Sequence, residues 1–404
     1  MIAVLMSLVS TSLVFASPPA QHEPYPHAAE PIGTVRQIYD GVLPPDLAVN
    51  TFRNIDRLFP THTVSRSSHP LPLLPAATPL GAIDFVDRGK RYKLDEYLEL
   101  NRIAALLVLQ DGRIKLERYR FGNSPRTRWM SMSVAKSITS TLFGAAVKQK
   151  LIAPSDSVTH YVPALAGGAW DEVTVQDILM MASGMRWNET YTDPRSDRRR
   201  LLEAQISQRR GSAMEVMRSL PRAAPAGVVN NYSTGETQVA AEVLRSAIGR
   251  PLADYLAERI WSRFGMESDA TWWLDSPGGV EIGGSGLSAT LRDYGRFGLF
   301  MLSGGVADGD SILPAGWIHQ ATTPRLLSHH NRVDYGYLWW PGTSPADRRD
   351  SAYSALGIYG QALYVNPAAR VVIVVWSAQR KPTGAAVVDD WQFFDAVVAA
   401  LRPS

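Results

Sequence analysis

The sequence predicts an α/β (α+β) fold: an antiparallel sheet flanked by helices, with an all-helical subdomain inserted between the strands. Apolar, β-branched runs appear at 103–122 and return at 354–378, whereas amphipathic helical patterns fill most of the region between them. This order of strands, helices and further strands suggests an antiparallel sheet with flanking helices and a separate helical part. The predicted parts are a leader at 1–16, a proline-rich N-terminal arm at 17–94, a sheet subdomain formed by 95–146 and 285–404, and a mainly helical subdomain at 147–284.

The N-terminal run MIAVLMSLVSTSLVFASPPAQ is apolar and ends in a small-residue cleavage pattern, Val14-Phe15-Ala16. It is short for a membrane-spanning helix, which needs about 20 apolar residues, and it lacks the usual basic start. We therefore expect export to the periplasm or medium, with cleavage near Ala16 and no stable membrane insertion. An uncleaved anchor or a misassigned start codon are the alternatives. The region 17–80 is rich in proline and polar residues, with one short amphipathic patch near LAVNTFRNIDRLF, which predicts a mostly irregular arm on the surface.

The remaining elements follow from turn and cap signals. Asp111-Gly112, between IAALLVLQ and RIKLERYRFG, predicts a two-residue hairpin turn. Helical spacing predicts helices in SVAKSITSTLFGAAVKQ, TVQDILMMASGM, TGETQVAAEVLRSAIG, PLADYLAERIWSRFG, SATLRDYGRFGLFML and DDWQFFDAVVAALR. YGQALYVNP and RVVIVVWSA predict two strands joined by a turn at Pro367.

The composition excludes several classes of function. The chain has 404 residues, a formal net charge of +3 and no cysteine. A thiol nucleophile, a disulfide framework and a cysteine-based zinc site are therefore excluded. The densest basic run, RSDRRR at 195–200, contains an acidic residue and no aromatic residues, which indicates a solvated loop rather than a nucleic-acid site. The sequence contains no His-Glu-x-x-His or EF-hand pattern. His329 and His330 are adjacent, which is the wrong spacing for two metal ligands on one face of a helix.

Ser133 and Lys136 form a Ser-x-x-Lys pair within MSMSVAKSITS, 130–140. Positions i and i+3 share one face of a helix, so Lys136 can reach the Ser133 hydroxyl. Serine needs a base, and lysine acts as a base only when burial or another cation lowers its pKa. The apolar surroundings favour burial, and a serine at a helix N-terminus places a backbone N–H beside a developing oxyanion. The alternative is a capping serine followed by a solvated lysine.

Two further segments are suited to complete such a site. Tyr232, in NNYSTGETQ, is able to relay a proton to the leaving atom if a lysine lowers the pKa of its phenol. The apolar strand pattern SALGIYGQALYV is interrupted by Gly357 and Gly360, which is typical of a close backbone approach and offers an N–H to an oxyanion. The alternatives are a turn that leads into a helix cap and a β-bulge in a core strand.

In this order, SVAK, YST and a glycine-bearing strand resemble the serine β-lactamase and penicillin-binding-protein superfamily. TVQDILMMASGM, GGSGLSATLRDYGRFGLFM and YGYLWW are similar to its class C-like branch, which includes esterases and D-aminopeptidases. WNETYTDP and GIYGQ are most similar to the 6-aminohexanoate-dimer hydrolases of that branch. The resemblance covers about 95–400 and implies a β-lactamase/transpeptidase-like fold and a serine hydrolase that needs no metal or organic cofactor.

The resemblance also implies roles for the matching residues. Ser133 would be the acylated nucleophile, Lys136 its base and Tyr232 the proton relay, with the backbone N–H groups of Ser133 and Ile358 as the oxyanion hole. The substrate-binding positions would be Tyr191, Thr234, Tyr359 and Gly360.

Two departures from the family pattern guide the expected substrate. No Lys-Thr-Gly lies on a C-terminal strand, since KPTG at Lys381–Gly384 follows the strand and contains a proline. The tyrosine motif ends in Thr234 rather than Asn. Both favour a small amide or ester over a β-lactam or a cell-wall peptide. A D,D-peptidase or weak β-lactamase and a catalytically silent ligand-binding scaffold remain alternatives, and the sequence leaves the oligomeric state open.

Overall fold

A six-stranded antiparallel sheet with helices on both faces forms the centre of the molecule. The computed structural model describes residues 24–327 and 332–402. Its strands are β1 Thr61–Val64, β2 Asp84–Asp87, β3 Lys90–Lys93, β4 Ile103–Gln110, β5 Arg113–Tyr119, β6 Arg128–Met130, β7 Ala270–Trp273, β8 Leu287–Thr290, β9 Val306–Ala307, β10 Asp310–Ser311, β11 Arg325–Leu326, β12 Arg332–Val333, β13 Trp340–Pro341, β14 Tyr353–Gly357, β15 Gln361–Asn366 and β16 Val371–Ser377.

Its helices are α1 Val35–Asp40, α2 Pro45–Phe52, α3 Leu94–Leu100, α4 Val134–Lys148, α5 Val158–Tyr161, α6 Val175–Leu179, α7 Asp197–Ile206, α8 Ser212–Arg218, α9 Thr234–Ile248, α10 Leu252–Leu256, α11 Leu291–Leu302, α12 Trp317–Thr322, α13 Pro345–Asp350 and α14 Asp390–Leu401. The predicted leader at 1–16 lies outside the described residues. Within the described ranges, no helix combines the length and the apolar character needed to cross a bilayer.

The central sheet has the strand order β13-β14-β15-β16-β4-β5, and all its neighbouring strands are antiparallel. The C-terminal β16 pairs with the N-terminal β4, for example Val374 opposite Leu107. The hairpin at Asp111-Gly112 is confirmed: both residues have positive φ, 50° and 74°, as a type I′ turn requires. The predicted fold class is therefore confirmed.

Each face of the central sheet has its own apolar core. Helices α4 and α11 cover one face, and α3 and α14 lie with the other. Two glycines let α11 approach the sheet closely, because a Cβ at Gly298 would lie 2.4 Å from Val372 Cγ1 and one at Gly295 would lie 2.6 Å from Leu107 Cδ2. This close packing fixes α11 and the strand β8 that precedes it.

A second, four-stranded sheet with the order β1-β7-β8-β6 was not predicted. Its strands are only three or four residues long, and they come from distant parts of the chain. Short strands of this kind carry too little alternation to be recognised from a sequence pattern. The sheet matters for the site because its edge strand β6 leads directly into α4.

The N-terminal arm differs from the prediction of a mostly irregular surface segment. It contains α1, α2 and β1, and Ile38, Tyr39, Phe52 and Ile55 are buried in the main core. The prolines delimit short helices instead of preventing them, since Pro45 occupies the first position of α2. The amphipathic patch near LAVNTFRNIDRLF coincides with α2 and the turn after it, but so short a patch does not show that the arm packs into the core.

The middle of the chain is helical from α5 to α10, and Gly249 ends α9 in the left-handed conformation as predicted. TVQDILMMASGM forms a shorter helix than its pattern predicts. α6 ends at Leu179, and Met181 adopts a positive φ of 52°. The segment after α6 is pinned by the 230–231 loop, where Asn231 N donates to Met181 O and Asn230 Nδ2 to Met180 O.

Candidate active site

Ser133 lies where β6 turns into α4. Ser131 N donates to Leu287 O of β8 at 2.7 Å, which holds the end of β6 in the second sheet. Met132 then adopts a positive φ of 42°, a costly conformation for this residue type, and α4 begins at Val134. The Ser133 side chain makes no capping hydrogen bond to the helix. The capping alternative is therefore wrong, and the hydroxyl contacts Lys136 Nζ instead of the helix backbone.

Lys136 is buried beneath Ser133 and is 1% exposed. Its Nζ lies 2.9 Å from Ser133 Oγ, 3.0 Å from Thr234 Oγ1 and 3.0 Å from Gly284 O. A neutral amine in this position has two N–H donors for the threonine and the carbonyl, and its lone pair faces the serine hydroxyl. The geometry suits a base that accepts the Ser133 proton.

Burial is the main reason why the pKa of Lys136 is lowered to about 7. Two charged neighbours act in opposite directions: the Glu189 carboxylate raises this pKa and the Arg198 guanidinium lowers it. The depression expected from the apolar surroundings of the motif is therefore found. Near neutral pH a substantial fraction of Lys136 is uncharged, as a general base requires.

Glu189 was missed by sequence reasoning. Its Oε2 accepts hydrogen bonds from Thr234 N at 2.9 Å and from Trp187 Nε1, and its Oε1 accepts one from the Thr234 hydroxyl. Thr234 thus connects the carboxylate to Lys136 Nζ. Glu189 lies in the segment WNETY, from which Tyr191 was predicted as a substrate-binding residue. Nothing in that segment indicated that the glutamate also belongs to the site.

Tyr232 is held by an aromatic cluster beside the serine and the lysine. Its ring stacks on Trp340 with centroids 5.7 Å apart and meets Tyr335 edge-on at 6.2 Å. Lys136 Nζ lies 5.2 Å from the Tyr232 ring centroid. Burial raises the pKa of the phenol, and a hydrogen bond with Ser133 only partly offsets the rise. The condition that a lysine lowers the pKa of this phenol is therefore not met, and Tyr232 is a protonated donor in the resting site.

The glycine-bearing strand is in fact the β14–β15 hairpin, whose tip reaches Ser133. A Cβ at Gly357 would lie 2.7 Å from Ser131 O, so glycine is needed for this approach. Tyr359 and Gly360 turn the chain with φ of 66° and 80°. The backbone N–H groups of Ser133 and Ile358, the predicted oxyanion pair, donate to no group in the part of the chain that the structure describes.

A cavity of about 420 Å³ opens over these groups. Among the residues on its wall are Ser133, Tyr191, Tyr232, Trp340, Ile358 and Gly360. Trp340 was not predicted as a site residue, although it lies within the quoted phrase YGYLWW. The structure therefore brings the predicted nucleophile, the relay tyrosine, the hairpin tip and Tyr191 to one cavity.

Two predicted substrate-binding residues do not line this cavity. Thr234 is 3% exposed, and its hydroxyl lies between Lys136 and Glu189, so it positions the lysine and does not face a ligand. Tyr359 is 2% exposed, and its ring packs on Phe52 with centroids 4.9 Å apart. The positive φ of Tyr359 directs the side chain away from the cavity, and its hydroxyl donates to Ile38 O in α1.

Replacing Tyr359 by phenylalanine should therefore affect stability rather than substrate binding. The variant removes one of the two donors to the buried Ile38 carbonyl, which still accepts from Gly41 N at 3.1 Å, so we expect the free energy of unfolding to fall by about 1 kcal/mol. Urea unfolding measures this change, and Tyr353→Phe in β14 is a matched control because no described residue hydrogen-bonds to that hydroxyl. A raised KM with unchanged stability would show instead that the hydroxyl contacts substrate.

The KPTG segment forms a loop after β16, as predicted, and not a strand. Pro382, Thr383 and Gly384 nevertheless line the cavity, whereas Lys381 is exposed and does not. Pro382 O accepts a hydrogen bond from Tyr359 N at 2.9 Å, which ties this loop to the hairpin tip. The loop therefore contributes shape to the site without a positive charge.

Comparisons with known proteins identify the family of the chain. Residues 101–397 match the family model described as Beta-lactamase. The chain is 30% identical over 345 residues to the 6-aminohexanoate-dimer hydrolase of Paenarthrobacter ureafaciens, a match that covers 82% of this chain and 85% of that one.

Two solved structures share the fold at lower identity. A Bacillus anthracis protein provisionally assigned as a 6-aminohexanoate-dimer hydrolase has a TM-score of 0.76 at 23% identity, covering 87% of this chain and 92% of its own. A penicillin-binding protein from Bacillus halodurans has a TM-score of 0.58 at 16% identity, covering 76% and 96%. The family match and the identity to the Paenarthrobacter relative confirm the resemblance drawn from the motifs: the chain belongs to the β-lactamase family and is a serine hydrolase.

Proposed function

We propose that this hydrolase cleaves small amides or esters through an acyl-enzyme on Ser133, with Lys136 and Tyr232 as its acid–base pair. The observation that carries the proposal is the 2.9 Å contact between Ser133 Oγ and a buried Lys136 whose pKa is lowered to about 7. The Paenarthrobacter relative supports a linear amide such as the 6-aminohexanoate dimer as the model substrate.

In acylation, Ser133, Lys136, Tyr232 and the two oxyanion N–H groups each have a separate role. Neutral Lys136 takes the Ser133 proton as Oγ attacks the substrate carbonyl, and the N–H groups of Ser133 and Ile358 bind the oxyanion. The Tyr232 phenol gives its proton to the leaving nitrogen or oxygen and regains one from the Lys136 ammonium. In deacylation a water takes the place of the leaving group, and neutral Lys136 accepts its proton as the water oxygen attacks the acyl carbonyl. The bond to Oγ then breaks, the Lys136–Tyr232 pair returns a proton to Oγ, and the product acid leaves.

The charges on the cavity wall favour such substrates over β-lactams. No lysine, arginine or histidine occurs among the described residues that line the cavity. A cation at this place is what would bind the carboxylate of a penicillin. The lack of one supports an amidase or esterase and disfavours a D,D-peptidase or β-lactamase.

A substrate panel tests the proposal on the wild-type protein. We expect turnover of short-chain nitrophenyl esters and of the linear 6-aminohexanoate dimer, with little hydrolysis of nitrocefin. Intact mass after incubation with benzylpenicillin should show no long-lived adduct. A stable penicilloyl adduct would identify a penicillin-binding peptidase instead, and the absence of any turnover or labelling would indicate a silent scaffold.

We also propose that the chain is exported. The apolar N-terminal run and the Val14-Phe15-Ala16 pattern support this, and both lie outside the described residues. Mass spectrometry of the protein purified from its native host should find a mature N-terminus near Ser17. An intact Met1 on cytoplasmic protein would contradict export.

A further inference from the structure

A second cavity, of about 520 Å³, lies in the helical part of the chain and shares no lining residue with the cavity over Ser133. Most of its lining residues come from α8 and the two residues before it, from α9, and from the loop between β7 and β8. A volume of this size is within the range of cavities that hold small organic ligands. None of the side chains on these walls has a role in the proposed mechanism.

Two carboxylates on the wall have oxygens without a donor. Asp275 is 5% exposed, and its Oδ1 accepts hydrogen bonds from Ser276 Oγ at 3.0 Å and Val280 N at 3.1 Å. A Cβ at Gly279 would lie 2.2 Å from this oxygen, so the glycine allows the loop to close on the carboxylate. No described residue donates to Asp275 Oδ2 or to the carboxylate of Glu242 on α9. These oxygens are therefore left for a ligand.

Two arginines on the same wall also lack an acidic partner. Arg245 lies one turn after Glu242 on the same face of α9, and its guanidinium makes no hydrogen bond or ion pair with a described residue. Arg210, at the exposed rim, donates to Gly278 O at 3.2 Å and pairs with no described carboxylate. We call these four groups the unpaired carboxylates and the unpaired arginines.

The four unpaired groups are near enough to act on one another. Burial and the Asp275 carboxylate raise the pKa of Glu242 to about 7, whereas Arg245 and Arg210 oppose this rise. The other charged residues on the wall are Glu215, which pairs with Arg209, and Arg218, which is exposed. The cavity thus holds charges of both signs that face each other without forming ion pairs.

Partly buried charges without partners are unfavourable, because each loses water and gains no hydrogen bond in return. An anionic ligand would suit the unpaired arginines but would be repelled by the unpaired carboxylates, and a cationic ligand would have the opposite difficulty. A ligand that carries both an ammonium and a carboxylate group satisfies both pairs, each through charge-assisted hydrogen bonds. A short peptide with free ends has this chemistry and a size that the cavity admits.

We propose that this second cavity binds a small zwitterion, from an amino acid to a short peptide with free ends. Its ammonium group contacts the unpaired carboxylates, and its carboxylate contacts the unpaired arginines. The proposal does not depend on the proposed function, because no group of the Ser133 site takes part in it. The two sites are nevertheless connected by α9, which begins at Thr234 beside Lys136 and carries part of the second cavity in its second half.

Isothermal titration calorimetry tests the proposal with ligands that differ only in the charges at their ends. The zwitterions are glycine, glycylglycine and triglycine, and each is compared with its N-acetyl derivative, which is anionic, and its amide, which is cationic. All titrations use the Ser133→Ala chain, so that no amide bond is cleaved in the cell. At pH 7.5 more than half of each terminal amine and of the Glu242 carboxyl group carries its charge.

We expect at least one zwitterion to bind with a Kd below about 1 mM, and about tenfold or more tightly than both of its singly charged derivatives. Adding Glu242→Gln, Asp275→Asn or Arg245→Gln should each weaken that binding by about tenfold. Adding Asp390→Asn should leave it unchanged, because this matched variant removes a carboxylate from the wall of the Ser133 cavity instead.

Equal binding of a zwitterion and its derivatives, or no binding of any of the three zwitterions, would overturn the proposal. Binding that is lost in Asp390→Asn and kept in Glu242→Gln would also overturn it, because the ligand would then occupy the Ser133 cavity. Circular dichroism checks that each variant is folded. If Asp275→Asn unfolds, Glu242→Gln decides, because the Glu242 carboxylate holds no described residue in place.

Discussion

Ser133→Ala should reduce kcat/KM on nitrophenyl esters by about 10⁴- to 10⁶-fold, the cost observed when a serine hydrolase loses its nucleophile. Alanine has no oxygen to form the acyl bond, so a fluorophosphonate probe that adds one equivalent of mass to wild type should add none to the variant. The fold should persist, because the Ser133 side chain caps no helix and its removal leaves the α4 backbone bonds in place. Intact-protein mass and steady-state kinetics on the same samples measure both effects.

Ser155→Ala is the matched control, because this serine is exposed in the loop before α5. It should label and turn over like wild type. Peptide mapping of labelled wild type should place the probe on the peptide that contains Ser133. Retained labelling in Ser133→Ala, or a probe on another serine, would show that the Ser-x-x-Lys pair is structural.

Lys136→Met should lower kcat/KM by about 10²- to 10⁴-fold, the range for loss of a general base. Methionine fills a similar volume but cannot accept the Ser133 proton. The pH profile adds a direct signature of the base. Burial lowers the pKa of Lys136 to about 7, so wild-type kcat/KM should rise as the lysine loses its proton and level off above that pH. In Lys136→Met this rise should disappear.

Lys148→Met serves as the control on the same helix. Lys148 is exposed at the end of α4, so both the rate and the pH profile should match wild type. A wild-type profile that stays flat between pH 5 and 9 would contradict the assignment of Lys136 as the base. So would a Lys136→Met variant that retains the rise.

Circular dichroism and urea unfolding of each variant separate lost chemistry from lost structure. Lys136 Nζ contacts Thr234 Oγ1 and Gly284 O, and methionine leaves both without this partner. Some loss of stability is therefore expected in Lys136→Met, by about 1 to 3 kcal/mol. A rate effect that persists in samples with native spectra is then attributable to the missing base.

The sequence alone determined the elements that depend on near neighbours in the chain. The Ser133–Lys136 contact needs only a helix and a spacing of three residues. The turn at Asp111-Gly112 and the glycine that ends α9 at Gly249 depend on local backbone conformation, which residue type controls directly. The two C-terminal strands were recognised from their apolar, β-branched runs, whereas the pairing of β16 with β4 is visible only in the structure.

Only the tertiary structure decided which side chains face the cavity. Tyr359 and Gly360 are adjacent in sequence, yet Gly360 lines the cavity and Tyr359 packs on the N-terminal arm, since a positive φ at Tyr359 turns its side chain away. Thr234 similarly points to Lys136 and Glu189 instead of to a ligand. The direction of each side chain depends on local backbone torsions and on packing partners that are distant in sequence. Neither produces a periodic pattern of residue types that could be recognised in the sequence.

The same reason explains the residues that sequence reasoning missed. Glu189 reaches Thr234 across 45 positions, and Asp390 shares a cavity with Ser133 although the two are 257 positions apart in sequence. The arm becomes part of the core through distant contacts, such as the one between Tyr359 and Phe52 across more than 300 residues. Local propensity and periodicity report on neighbours within a few residues, whereas the charge of the site and its choice of substrate arise from contacts that exist only in the folded chain.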